Sequence, residues 1–161
     1  KFSQLHVSYR DSRLSEGGDG RRGSRARLLP GDRAPDVALF QGSNATTVTI
    51  FELLGTLRPL LLFRGSDVAE DTLLRACESL GLPAFAVVEP ATSDMRPFAL
   101  TDLAGDFGRL YGTSSSFIWL IRPDGHVGLH LEAIDPHRIA SYLRWVCEPQ
   151  AVEAALGVAR A

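Results

Sequence analysis

Phe117-Ile118-Trp119-Leu120-Ile121-Arg122-Pro123-Asp124-Gly125-His126-Val127-Gly128-Leu129-His130-Leu131 is the stretch that decides the fold. Its first five residues are an unbroken apolar run, too short for a helix and suited to a strand buried on both faces. Pro123-Asp124-Gly125 then predicts a tight turn, because proline presets φ and glycine tolerates a positive one. Val127, Leu129 and Leu131 alternate in the returning strand, so the whole reads as a β-hairpin. The same period of two places His126, His130 and Glu132 on the opposite face. Such a trio has donors that zinc accepts; the expectation is instead a polar row facing solvent.

Upstream, apolar runs alternate with helical patterns. Val37 and Leu39 alternate in a short strand before a Gly42-Ser43-Asn44 turn. Thr49-Ile50-Phe51-Glu52 has capping-box spacing, which predicts a short helix through Leu54, closed by Gly55. Leu60-Leu61-Leu62-Phe63 and Ala84–Val88 read as buried strands. Between them Asp67 is placed to cap a helix whose stripe is Leu73, Leu74, Cys77 and Leu80; Gly81 and Pro83 stop it. Residues 90–97 read as an irregular connection and residues 98–100 as a short extended stretch. Thr101-Asp102 is placed to cap a helix carrying Leu103, Phe107, Leu110 and Tyr111, ended by Gly112. Downstream of the hairpin, Asp135-Pro136 starts a helix with Ile139, Leu143 and Val146 on one side. The order of strands joined by helical crossovers, finished by an antiparallel hairpin, predicts an α/β thioredoxin-like sandwich: a central mixed sheet with helices on both faces.

Composition narrows the function classes. With 161 residues, 45% hydrophobic, the chain is sized for one domain with a core. A net charge of −2 gives no general pull toward nucleic acid or an anionic membrane. No apolar run approaches the ~20 residues of a bilayer span. The first residues are polar and mixed, unlike a secretory signal, and residue 1 is lysine rather than methionine, as in a chain that is processed, tagged or cut from something longer, the last being the expectation. A cytoplasmic location follows as an expectation. Leu5, Val7 and Tyr9 alternate in an extended arm, and residues 15–27 hold four glycines among charged residues, a linker composition. Asn44-Ala45-Thr46 matches a glycosylation triplet but reads as a polar loop.

Two segments carry a family resemblance. Gly31-Asp32-Arg33-Ala34-Pro35-Asp36 is similar to the entrance of peroxiredoxin and related thioredoxin-fold domains. Leu120-Ile121-Arg122-Pro123-Asp124-Gly125-His126-Val127 resembles a segment near the C-terminus of FAD-dependent aromatic-ring hydroxylases, the flavoprotein monooxygenases related to phenol hydroxylase and 3-(3-hydroxyphenyl)propionate hydroxylase. Tyr9-Arg10-Asp11-Ser12-Arg13-Leu14 resembles the point where those enzymes leave the flavoprotein body for a C-terminal domain. His130 departs from the arginine that many relatives carry. The resemblance implies residues 1–28 as an arm and Gly/Arg-rich linker, 29–150 as the thioredoxin-like domain, and 151–161 as a tail or short helix. It implies a parent that binds FAD, accepts hydride from NAD(P)H and activates O2 to hydroxylate a phenolic or polyketide-like ring. Its partners would be the flavoprotein body of the same chain and further copies of itself.

The fragment itself is expected to be silent. Thioredoxin-fold catalysis needs a thiolate where a helix N-terminus lowers its pKa. That position is Arg64-Gly65-Ser66-Asp67-Val68, without cysteine, and Ser66 is too weak an acid to substitute. Ser114-Ser115-Ser116 stands where active members place a cis-proline. Cys77 is expected in the core and Cys147 partly accessible, both as thiols. No catalytic, cofactor-binding or metal residues are assigned to this chain. The alternative is a stand-alone thioredoxin-fold thiol oxidoreductase or peroxiredoxin-like protein.

Overall fold

The computed structural model describes residues 15–17, 28–55, 57–90, 96–112 and 115–158. The predicted arm at Leu5, Val7 and Tyr9 and most of the linker lie outside them. Among the described residues one mixed sheet holds eight strands in the order β1-β8-β7-β4-β5-β6-β2-β3. These are β1 (Glu16–Gly17), β2 (Ala38–Gln41), β3 (Thr46–Thr49), β4 (Leu60–Arg64), β5 (Ala84–Val88), β6 (Ala99–Thr101), β7 (Phe117–Ile121) and β8 (Val127–Leu131). The helices are α1 (Ile50–Leu53), α2 (Asp67–Leu80), α3 (Asp106–Tyr111), α4 (Pro136–Leu143) and α5 (Pro149–Leu156). β4, β5 and β6 are parallel, while β7 runs antiparallel to β4 and to β8.

The sheet separates two apolar layers because successive side chains on a strand point to opposite faces. Leu61, Phe63, Ile118, Leu120, Leu129 and Leu131 pack under α2, α4 and α5. Leu60, Leu62, Phe117, Trp119 and Ile121 face the other way, against Ile50 of α1 and Phe107 and Tyr111 of α3. The predicted helices on both faces are thus present. Residues 149–156 form α5 and bury Val152 and Leu156 against α2 and α4.

Several local expectations held and several are corrected. The capping box is complete: Glu52 N donates to Thr49 Oγ1 at 3.2 Å, and Thr49 N donates to Glu52 Oε2 at 2.7 Å. Asp67 is the first residue of α2 rather than its cap, which is Ser66. The helix expected from Thr101-Asp102 starts later, at Asp106, after Gly105 turns with φ 73°, and Leu103 is left 61% exposed. Asp102 still serves that helix across the turn, accepting from Phe107 N and Gly108 N at 3.2 and 2.9 Å. α4 ends at Leu143, so Val146 leaves the expected stripe and is half exposed. β3 had no sequence signal, since Thr46-Thr47-Val48-Thr49 has little apolar contrast; pairing with β2 fixes it.

The correction with most bearing on function is in the hairpin. Ile121 pairs with Val127 but Leu120 pairs with Leu129, so the register shifts and Gly128 is the extra residue of a β-bulge. A one-residue slip sends following side chains to the other face. Val127 therefore joins the α1–α3 layer while Leu129 and Leu131 join the other. Glycine is required there, because a Cβ at position 128 would collide with the Tyr142 hydroxyl.

Candidate functional site

Thioredoxin-fold chemistry belongs at the C-terminal end of β4, where α2 begins. Here that end is filled by the chain's own polar groups. Gly65 N donates to Glu70 Oε1 at 2.9 Å, folding a carboxylate from the first turns of α2 back onto the loop. Glu70 is buried, and the Arg96 guanidinium stands 3.7 Å from its other oxygen. Arg64 donates from Nε to Val87 O at 2.9 Å and from Nη1 to Glu89 Oε1 at 3.0 Å, with its guanidinium over the Phe117 ring. Ser116, at the position where active members carry a cis-proline, donates from Oγ to Arg64 O at 3.2 Å. Ile134 closes the loop from above: a Cβ on Gly65 would lie 2.7 Å from its Cδ1.

This arrangement does the opposite of thiolate activation. A helix N-terminus attracts an anion through free amides, and here the loop amide of Gly65 is taken by a resident carboxylate. Glu70 is an element that sequence reasoning missed. It lies on the first turns of a predicted helix, where an acidic residue is ordinary, and only the hydrogen bond from Gly65 N ties it back to the loop. Among the described residues no strand runs into a helix through Gly-x-Gly-x-x-Gly, the pattern that receives a dinucleotide pyrophosphate.

The cysteines are elsewhere. Cys77 lies inside α2, buried, and desolvation together with the charge of nearby Cys147 pushes its thiol up to about 12. Cys147 follows α4; burial raises its pKa and Arg58 opposes that shift. Both are free thiols, and although 70 residues separate them in sequence, they share one apolar cluster.

The row of His126, His130 and Glu132 is not the solvent face the alternation suggested. The bulge at Gly128 breaks their common side, and β8 is buried from end to end. His130 stacks on Trp119 with ring centroids 3.7 Å apart and planes inclined by 15°. His126 is buried beside Asp124, with Nδ1 3.3 Å from Oδ1. Glu132 is exposed. Among the described residues no group of three metal-capable side chains comes together. His137 is exposed in the first turn of α4, and Asn44 donates from Nδ2 to Gln41 Oε1 at 3.1 Å in a short 3-10 turn.

With the fold and the closed β4 end established, the likeness to known proteins can be placed. The thioredoxin domain of a thiol-disulfide oxidoreductase from Bacteroides vulgatus superposes with TM-score 0.58 and 15% identity, covering 74% of this chain and 99% of that one. The fold is thioredoxin-like. Aklavinone-11 hydroxylase, solved in a ternary complex with FAD and aklavinone, has a region of the same fold: TM-score 0.50 and 21% identity, covering 89% of this chain and 24% of that one. In sequence, the chain is 34% identical over 98 residues, 61% of its length, to 4-methyl-5-nitrocatechol 5-monooxygenase of a Burkholderia species. The chain therefore resembles the aromatic-ring monooxygenases, as its Arg-Pro-Asp-Gly hairpin suggested. It spans only 17% of that relative. No protein-family model matches it.

Proposed function

We propose that this thioredoxin-like domain is the redox-silent C-terminal piece of an FAD-dependent monooxygenase that hydroxylates an aromatic ring using NAD(P)H and O2. The observation that carries the reading is the loop from Arg64 to Val68, which holds no cysteine where a thiol enzyme keeps its thiolate and whose Gly65 amide is taken by Glu70. The sequence similarity to a nitrocatechol monooxygenase supplies the parent. The domain's own work is structural: it packs on the flavoprotein body and supports self-association. Its two free thiols suit a reducing cytoplasm. Among the described residues no helix is long and apolar enough to cross a membrane.

Flavin chemistry belongs to the remainder of the parent. A stand-alone thiol oxidoreductase is disfavoured by placement: the most buried thiol sits inside α2 with its ionisation suppressed. Expression of the gene with its upstream coding region tests the proposal. Bound flavin and phenol-dependent NAD(P)H oxidation are expected, with no dithiol turnover by the domain. An upstream region without flavin, or thiol turnover that is lost on replacing Cys77 and Cys147, overturns it.

A further inference from the structure

The proposed function leaves two nucleophiles unused, Cys77 and Cys147, and the fold brings them into one neighbourhood. Cys77 is buried on the inward side of α2. Cys147 is half-buried in the turn between α4 and α5. There it lines a groove of about 420 Å³, open at the N-terminal end of β4, with Leu57, Arg58, Leu82 and Val146. The groove gives a small solute access to Cys147, whereas Cys77 lies in the core behind it. Leu82 belongs to both surroundings: it lines the groove, packs in the apolar cluster that holds Cys77, and donates from N to Cys77 O at 2.8 Å. The two thiols are near enough that charge on Cys147 raises the pKa of Cys77. They also differ as a reacting pair must. Arg58 Nη1 donates to Leu80 O and Gly81 O at 3.1 and 2.8 Å, which holds its guanidinium at the groove, where it favours the Cys147 thiolate against the effect of burial. The thiolate is the form that attacks an oxidant, so Cys147 is placed to react first.

We infer that Cys147 and Cys77 form a redox switch: Cys147 takes a peroxide in the groove, and Cys77 resolves it to a disulfide that pins the α4–α5 turn to α2. In the first step the Cys147 thiolate attacks one oxygen of hydrogen peroxide. The O–O bond breaks, Cys147 becomes a sulfenic acid and hydroxide leaves, to take up the proton that Cys147 released. In the second, the Cys77 sulfur attacks the Cys147 sulfur, and the Cys77 proton leaves with the sulfenic hydroxyl as water. The S–S bond forms, the two thiols have lost two electrons, and one peroxide has become two waters. Closing that bond needs the Cα atoms within about 7 Å. Cys147 lies in a turn, held through N to Leu143 O at 2.7 Å, so it approaches α2 without unwinding a helix. The response is stoichiometric, distinct from the turnover of a thiol enzyme.

The test treats the full-length gene product with hydrogen peroxide, quenches it by alkylation, and maps its peptides by mass spectrometry with and without dithiothreitol. Expected are a linked Cys77–Cys147 peptide at monomer mass, lost on reduction, and slower amide exchange over residues 144–148 while the link is present. In Cys77→Ala the linked peptide should vanish and Cys147 should accumulate as a sulfenic acid, trapped by dimedone. In Cys147→Ser, a change in a half-buried turn, Cys77 should remain a thiol. Cys147 passing to the sulfinic acid while Cys77 stays reduced overturns the inference, as does a Cys147 disulfide between two copies. Oxidation of Cys77 in Cys147→Ser at the parent's rate overturns it equally, since Cys77 would then need no partner in the groove.

Discussion

The two ends of β4 are built on opposite principles. At the C-terminal end, charged and polar side chains turn inward and satisfy one another: Glu70 with Gly65 and Arg96, Arg64 with Val87 and Glu89, Ser116 with Arg64. At the N-terminal end, apolar side chains turn outward and stay uncovered. Thioredoxin-fold enzymes need the reverse at the first end, an anion accessible at free amides. A fold can thus keep its frame while its reactive end becomes structure, because a loop amide beside the helix start is satisfied by a resident carboxylate.

The contrast can be broken most forcefully at Glu70. Glu70→Ala leaves Gly65 N–H and Arg96 without this carboxylate in a buried site, and should cost about 2–4 kcal/mol by chemical denaturation. A loss under about 0.5 kcal/mol, the ordinary surface effect, would mean the plug does not hold the loop. Glu70→Gln, which keeps an acceptor for Gly65, should recover part of the loss.

Alkaline pH reaches the core beneath the open end. Cys77 has its pKa raised in the folded state, so its contribution is fully present below the unfolded value and is lost as pH rises from 9.0 toward about 12. At about pH 10.5 that one thiol should cost on the order of 2 kcal/mol relative to neutral pH. Melting curves across that range should be flatter for Cys77→Ala than for the parent chain. Tyr111 and Cys147, raised in the same direction by burial, contribute to the residual slope.

Smaller effects sharpen the comparison. Ser116→Ala removes one partly buried hydrogen bond to Arg64 O and should cost about 1 kcal/mol. Leu57→Asp with Trp145→Asp should change the stability of the 161-residue chain by less than about 0.5 kcal/mol, since both side chains are exposed.

Sequence legibility followed chain separation. Leu60–Phe63 and Phe117–Ile121 were readable as buried strands because four or five apolar residues in a row admit few other structures, and Thr49 with Glu52 wrote its own cap within four residues. Gly128 defeated the period-two reading: a bulge depends on how β7 pairs with β8, and Tyr142, 14 positions on, decides that only glycine fits. His126, His130 and Glu132 were a row only while that bulge was unseen.

By itself, the sequence determined the alternation of buried strands and helices, the closing hairpin, and the lack of a cysteine at the head of α2. Each is written within a few neighbouring residues, through side-chain period, turn chemistry or residue identity. Tertiary structure alone decided that Glu70 would fold back onto the Gly65 amide, that His126 and His130 would be buried, and that Leu57 and Val146 would line one groove. Those outcomes rest on contacts made by chain reversal and sheet pairing, whose partners no local pattern specifies.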